Sequence, residues 1–174
     1  MTSVLKVDNI QNSSGTDAIS IDSSGNVLKP KQCAFRVYRT TDSLDAQNVS
    51  TATLINFEAK DFDINNDFDL ASDKFVAPVD GVYIFSMQVR LRYTEAATTT
   101  FIRFYKNGTS VWATNDYHYL ALEDPQGGSY ASPNGTQIVK LEAGDEMQVY
   151  IDVDGDASVS IQYGSTEFSG ALLS

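Results

Sequence analysis

Residues 81–93 read Gly81-Val82-Tyr83-Ile84-Phe85-Ser86-Met87-Gln88-Val89-Arg90-Leu91-Arg92-Tyr93. Tyr83, Phe85, Met87, Val89, Leu91 and Tyr93 take alternate positions, and Ser86, Gln88, Arg90 and Arg92 fill the upper part of the opposite face. A period of two puts successive side chains on opposite sides of an extended chain, so this stretch predicts a long strand with one buried face. Near its start Val82 and Ile84 make the second face apolar as well, and a lone subunit would expose them. The alternation returns in Met147, Val149, Ile151 and Val153, set against Glu146, Gln148, Tyr150 and Asp152, and again in Val159, Ile161 and Tyr163. Turn chemistry separates these runs at Asn107-Gly108, Asn134-Gly135, Ala143-Gly144-Asp145 and Asp154-Gly155. No long window carries a helical stripe. Many short strands without intervening helices predict an all-β antiparallel sandwich or jelly roll.

The chain has 174 residues, 42% of them hydrophobic, which suits one domain with a core and a short appendage. Twelve basic residues face 23 acidic ones, a net charge of −11. Such a balance argues against a nucleic-acid surface, since nothing replaces the counterions of a phosphate backbone, and against docking on anionic lipid. One cysteine (Cys33) and one histidine (His118) exclude an intrachain disulfide and a zinc site built from Cys and His of one chain. Cys33 reads as a small buried hydrophobe or a free thiol. No run approaches the ~20 apolar residues that cross a bilayer, so no membrane insertion is expected. Met1–Asp8 holds no continuous apolar run, which is not the pattern of a secretory signal, and folding in a cytoplasm is expected.

Composition shifts near Pro30. Residues 1–31 hold three lysines and three aspartates and no aromatic residue, so the whole −11 falls on residues 32–174. The leading part contains a quasi-repeat, Ile10-Gln11-Asn12-Ser13-Ser14-Gly15 echoed by Ile21-Asp22-Ser23-Ser24-Gly25, and Ile19 and Ile21 alternate with polar residues before Val27. This predicts a short hairpin or β-arc, with a polar flexible tail as the alternative. The chain thus divides into a β-rich anchor, 1–31, and a head, 32–174. So few apolar residues would be ordered only against a partner or a copy of themselves.

Phe57, Asp63, Phe68, Phe75, Gly81, Tyr83, Phe85 and Met87 stand at the spacing of the signature of the complement C1q globular head, with Met87 where that signature has another aromatic. Lys106-Asn107-Gly108, Leu141-Glu142-Ala143-Gly144-Asp145 and the closing Ser165–Leu173 follow in matching order. Residues 32–174 therefore resemble a C1q-like head. The resemblance implies a ten-stranded jelly roll of the tumour necrosis factor type, with the signature residues in its core, that assembles as a homotrimer. Val82, Ile84, Phe168, Ala171, Leu172 and Leu173 are the expected trimer-interface residues. The leading residues look like segments that precede the tips of bacteriophage fibre and virion-surface proteins. Together these imply a non-enzymatic phage structural protein at the virion surface, a capsid decoration, cement or head-fibre protein. Val4, Leu5, Val7, Ile10, Ile19 and Ile21 would grip a capsid or tail structural protein. A receptor-binding tip of a tail fibre and a cellular C1q-like lectin or adhesion module are the alternatives.

Little in the sequence supports catalysis. No glycine-rich phosphate loop or G-x-S-x-G elbow occurs, and carboxylate pairs mean little among so many acids. Asp152, Asp154 and Asp156 around a tight turn are either calcium ligands or the solvated tip of a hairpin; no other cofactor is expected. Asp61–Asp69 reads as the alternation of a solvated strand face. Trp112, Tyr117, His118 and Tyr119 are either contacts to a host-surface glycan, whose C–H faces stack on rings, or residues of the core or trimer interface.

Overall fold

The computed structural model describes residues 5–41, 45–47, 52–93, 99–110, 120–123, 128, 130–154 and 158–174. The chain runs through β1 (Asn9–Gln11), β2 (Asp17–Ile21), β3 (Val27–Leu28), β4 (Ala34–Tyr38), β5 (Asp45–Gln47), β6 (Thr53–Leu54), β7 (Ala59–Asp63) and β8 (Phe68–Asp69). It continues through β9 (Lys74–Val76), β10 (Gly81–Tyr93), β11 (Thr99–Lys106), β12 (Thr109–Ser110), β13 (Leu120–Glu123) and β14 (Tyr130–Ala131). The last three strands are β15 (Asn134–Leu141), β16 (Glu146–Asp154) and β17 (Ser158–Leu172). The described residues contain no helix.

The leading segment is an antiparallel meander, β1-β2-β3, so the quasi-repeat builds two turns rather than a single hairpin. Both turns are made identically. Asn12 Oδ1 accepts the amides of Ser14 and Thr16, each at 3.0 Å, and Asp22 Oδ1 accepts those of Ser24 and Asn26, each at 2.9 Å. Gly15 and Gly25 supply the positive φ, 81° and 84°. A repeated Asx-Ser-Ser-Gly thus becomes a repeated strand-turn unit.

In the head, β14-β10-β17-β4-β7 form a first sheet, with β15 on β10 and β5 on β17. A second sheet runs β12-β11-β16-β9-β8, with β13 on β11 and β6 on β16. Successive long strands alternate between the sheets, which is the all-β jelly-roll sandwich expected. The strand count differs from ten: seven strands are described in each sheet, several of them with only two or three described residues. Asn134-Gly135 is not a turn. It opens β15, paired with Gln88 and Met87.

The two inner faces close on an aromatic core. Phe35 lies 5.0–6.4 Å, centroid to centroid, from Phe68, Phe75, Phe85 and Phe168. Phe57, Tyr83 and Phe104 complete the cluster. Gly170 faces this core between Phe35 on β4 and Phe85 on β10. A Cβ there would stand 2.6 Å from the Phe85 ring and 2.7 Å from that of Phe35. Gly81 also answers a close approach: a Cβ would meet Leu172 Cδ1 at 2.5 Å and the Ser174 carbonyl at 2.8 Å.

Asp63 turns inward rather than outward. Its carboxylate accepts the amides of Asp67 (2.9 Å) and Phe68 (3.1 Å) and the Lys60 ammonium (2.8 Å), which bends the chain toward Phe68. Asp61 and Asp69 are exposed, but so are Phe62 and Ile64, so the run does not set a solvated acidic face against a buried apolar one. Asp145 clasps two turns together through Lys106 Nζ, Asn107 Nδ2 and the Glu142 amide, each at 2.7 Å. The Lys106 ammonium, with those hydrogen bonds, holds its carboxyl down to about 2. Arg39 is buried and reaches Glu58 Oε1 at 3.3 Å and the Asn56 carbonyl at 2.6 Å. Burial pushes the Glu58 carboxyl up, but the Thr41 and Thr40 hydroxyls and amides outweigh it and hold it down to about 2.

Two outcomes follow from this packing. Gly170→Ala lowers stability to urea by about 1–3 kcal/mol, as overpacking does, while Ser169→Ala on the outward face changes it little. Asp145 and Glu58 have folded values below their ordinary ones, so their stabilisation is present near neutrality and is lost as pH falls toward 2. Urea midpoints therefore drop on acidification, and the double variant Asp145→Asn/Glu58→Gln, less stable at neutral pH, shows a shallower drop.

Candidate functional site

The outward face of the first sheet carries a continuous apolar feature. Ile84 on β10 pairs with Ile138 on β15 and with Ala171 on β17. Ala171 pairs with Ala34 on β4, and the Ala34 carbonyl accepts the Ile64 amide at 3.0 Å just past β7. Residues directly opposite in antiparallel strands share a face. Ile138, Ile84, Ala171, Ala34 and Ile64 therefore form one aliphatic row across five strands. Its ends are open, with Ile138 59% and Ile64 52% exposed.

The next row is small and polar, Thr136, Ser86 and Ser169, and ends in Arg36 and Phe62. Arg36 is neutralised within the sheet by Asp61 at 3.0 Å and by Glu167. A flat strip of short side chains with its charge already paired can take another surface at close range at little desolvation cost.

Four of the six expected interface residues lie on this outward face: Val82, Ile84, Ala171 and Leu173. Phe168 does not. It is fully buried, with Phe35, Phe57, Phe68, Phe85 and Phe104 within 6.0 Å, centroid to centroid. Leu172 also turns inward, opposite Tyr83. Strand parity is the reason: inward Gly170 puts 168 and 172 on the core side and 169 and 171 outside. Sequence reasoning missed Ala34, Ile64 and Ile138, which join the row only through pairing with distant strands. Their signal was an apolar residue set among polar outward neighbours, as Ile138 is between Thr136 and Lys140.

The signature residues Phe57, Phe68, Phe75, Tyr83, Phe85 and Met87 line the core, and the Tyr83 hydroxyl donates to the Val79 carbonyl at 2.7 Å. In the meander, Ile10 opposes Ile19, and Ile21 opposes Val27, so all four share one face, largely in solvent. Val27 joins a set that sequence reasoning began at Val4, which lies outside the described residues. Leu5 is exposed and Val7 half-buried. Trp112, Tyr117, His118 and Tyr119 also lie outside the described residues, between β12 and β13. Of the acidic tip, Asp156 and the side chain of Asp154 are likewise outside them, and Asp152 Oδ2 accepts from Arg103 at 3.3 Å. No group of three metal-ligating side chains occurs among the described residues.

Solved structures with the same fold include the globular domain of zebrafish complement 1qA, at TM-score 0.53 and 17% identity, covering 83% of this chain and 98% of that one. Murine APRIL at pH 8.0 matches at TM-score 0.54 and 15% identity, over 82% and 100% of the two chains. Eiger TNF from S. frugiperda matches at TM-score 0.58 and 11% identity, over 82% and 93%. No curated protein matches the sequence. The model of the C1q domain matches residues 34–173, most of the chain, and the protein belongs to that family.

Proposed function

We propose that this protein is a non-enzymatic homotrimer whose heads meet through the outward face of the first sheet and whose meander fastens the assembly to a larger body. The observation that carries this reading is the aliphatic row Ile138–Ile84–Ala171–Ala34–Ile64. An apolar strip of that length is costly to leave in water and is a natural interface between copies. C1q and tumour necrosis factor domains typically act as binding modules and often trimerise. The meander contributes the aliphatic face of Ile10, Ile19, Ile21 and Val27 on a neutral segment, which suits close contact with a partner better than the acidic head does.

The resemblance of the leading segment to pieces of phage fibre and virion-surface proteins favours a capsid decoration, cement or head-fibre role, with the head projecting toward host-surface glycans. A receptor-binding tail tip fits the same geometry. A cellular C1q-like module fits as well, and the zebrafish complement head is a structural neighbour of that kind.

Light scattering on the purified chain gives about 57 kDa for three chains of 19.0 kDa, and Ile84→Asp shifts it to the single-chain mass while the strand circular dichroism stays unchanged. A wild-type protein at the single-chain mass would end the proposal. Deletion of residues 1–31 leaves the heads trimeric and abolishes attachment, measured by electron microscopy of particles. Copies in the hundreds on a shell indicate decoration, and a few tens at most per particle indicate a tail tip.

A further inference from the structure

The outward face of β10 changes character along its length, from Val82 and Ile84 to Arg90 and Arg92. Six cations of the head, Arg36, Arg39, Lys60, Lys74, Arg103 and Lys106, sit within 3.3 Å of carboxylates. Arg90 and Arg92 have no carboxylate partner among the described residues. Their guanidinium carbons stand 5.3 Å and 6.0 Å from the ring centroid of Tyr130. Arg92 and Tyr130 are direct cross-strand partners, and Arg90 follows on the same face. The ring is 56% exposed. On the other flank Gln162 and Ser160 oppose Arg90 and Arg92, with Gln162 Nε2 donating to Ser160 Oγ at 2.6 Å.

Two like charges converge on one ring in a protein of net charge −11 that has carboxylates to spare. Attraction to the ring face offsets only part of their repulsion. A carboxylate is the group that completes the cluster, since a guanidinium fork matches its two oxygens. The exposed ring beside it offers a face for a body rich in C–H groups, and the Gln162 side-chain carbonyl can accept from a hydroxyl. The surrounding negative field selects against polyanions, because only a ligand with its charge concentrated at the cluster gains more than it loses.

We propose that Arg90, Arg92 and Tyr130 form a binding site for a carboxylate borne on a saccharide ring, as in a hexuronic acid. The site refines the glycan contact of the proposed function and rests on that reading. It uses none of the residues between β12 and β13. Arg90 is six residues along β10 from Ile84, about 20 Å away, and the cluster is built within one chain.

The test titrates the full chain with glucuronate, glucose and acetate by calorimetry, with oligomer mass measured on the same samples. Glucuronate binds, and glucose and acetate each bind at least about tenfold more weakly. Arg90→Gln/Arg92→Gln abolishes the difference between glucuronate and glucose. Tyr130→Ala weakens glucuronate several-fold and leaves acetate unchanged. All variants keep the wild-type melting temperature and mass. Absence of glucuronate binding, equal binding of glucose or acetate, or undiminished binding by the double arginine variant would each overturn the site. A single-chain mass with intact glucuronate selectivity would overturn the trimer and leave the site standing.

Discussion

The close passage of β17 between β4 and β10 governs both faces of the first sheet. On the inner side the rings of Phe35 and Phe85 fold over Gly170, where no side chain could fit. That collapse lets Phe168 enter the aromatic core two residues earlier. On the outer side the same closeness holds Ala34, Ala171 and Ile84 in register as one aliphatic row. A side chain at 170 would part β4 from β17, opening the core and breaking the outer row together. Core packing and the proposed surface between copies are therefore consequences of one missing Cβ.

Charge would give that proposed surface its selectivity. The head is strongly acidic, so two copies repel at any distance where the field is unscreened. Only a close, complementary fit recovers enough apolar burial to overcome this. The strip is suited to such a fit because its side chains are short and because Arg36 is already paired within its own sheet. At the far end of β10 the balance reverses. Arg90 and Arg92 make a small positive island in a negative field, over the ring of Tyr130. Strand β10 thus joins an apolar half to a charged half about 20 Å apart.

Much of the fold was legible along the chain. Strands β10, β16 and the first part of β17 show a period of two over enough residues to be unambiguous, and the Asn107-Gly108 and Ala143-Gly144-Asp145 turns follow from the left-handed backbone that Asn and Gly accept. The spacing of Phe57, Phe68, Phe75, Tyr83 and Phe85 marked the core, where the structure puts them. The two- and three-residue strands were invisible, because a segment that short has no period. Asn134-Gly135 misled for a related reason: its turn propensity is weak beside the hydrogen bonds offered by Gln88 and Met87. At Asp61–Asp69, composition suggested a solvated acidic face, but Asp63 is worth more as an internal cap on the amides of Asp67 and Phe68.

Local chemistry along the chain was enough to establish an all-β sandwich, its aromatic centre and the contrast between a neutral leader and an acidic head. Those properties depend on neighbours a few residues apart, and short-range sterics and hydrogen bonding dictate them. Which outward residues meet was settled by folding alone. Ile64, Ala34, Ala171, Ile84 and Ile138 come from five strands scattered over the whole head, and Arg92 reaches Tyr130 across a sheet edge. Strand order and register bring them together, and these are set by closure of the core, which no single segment encodes.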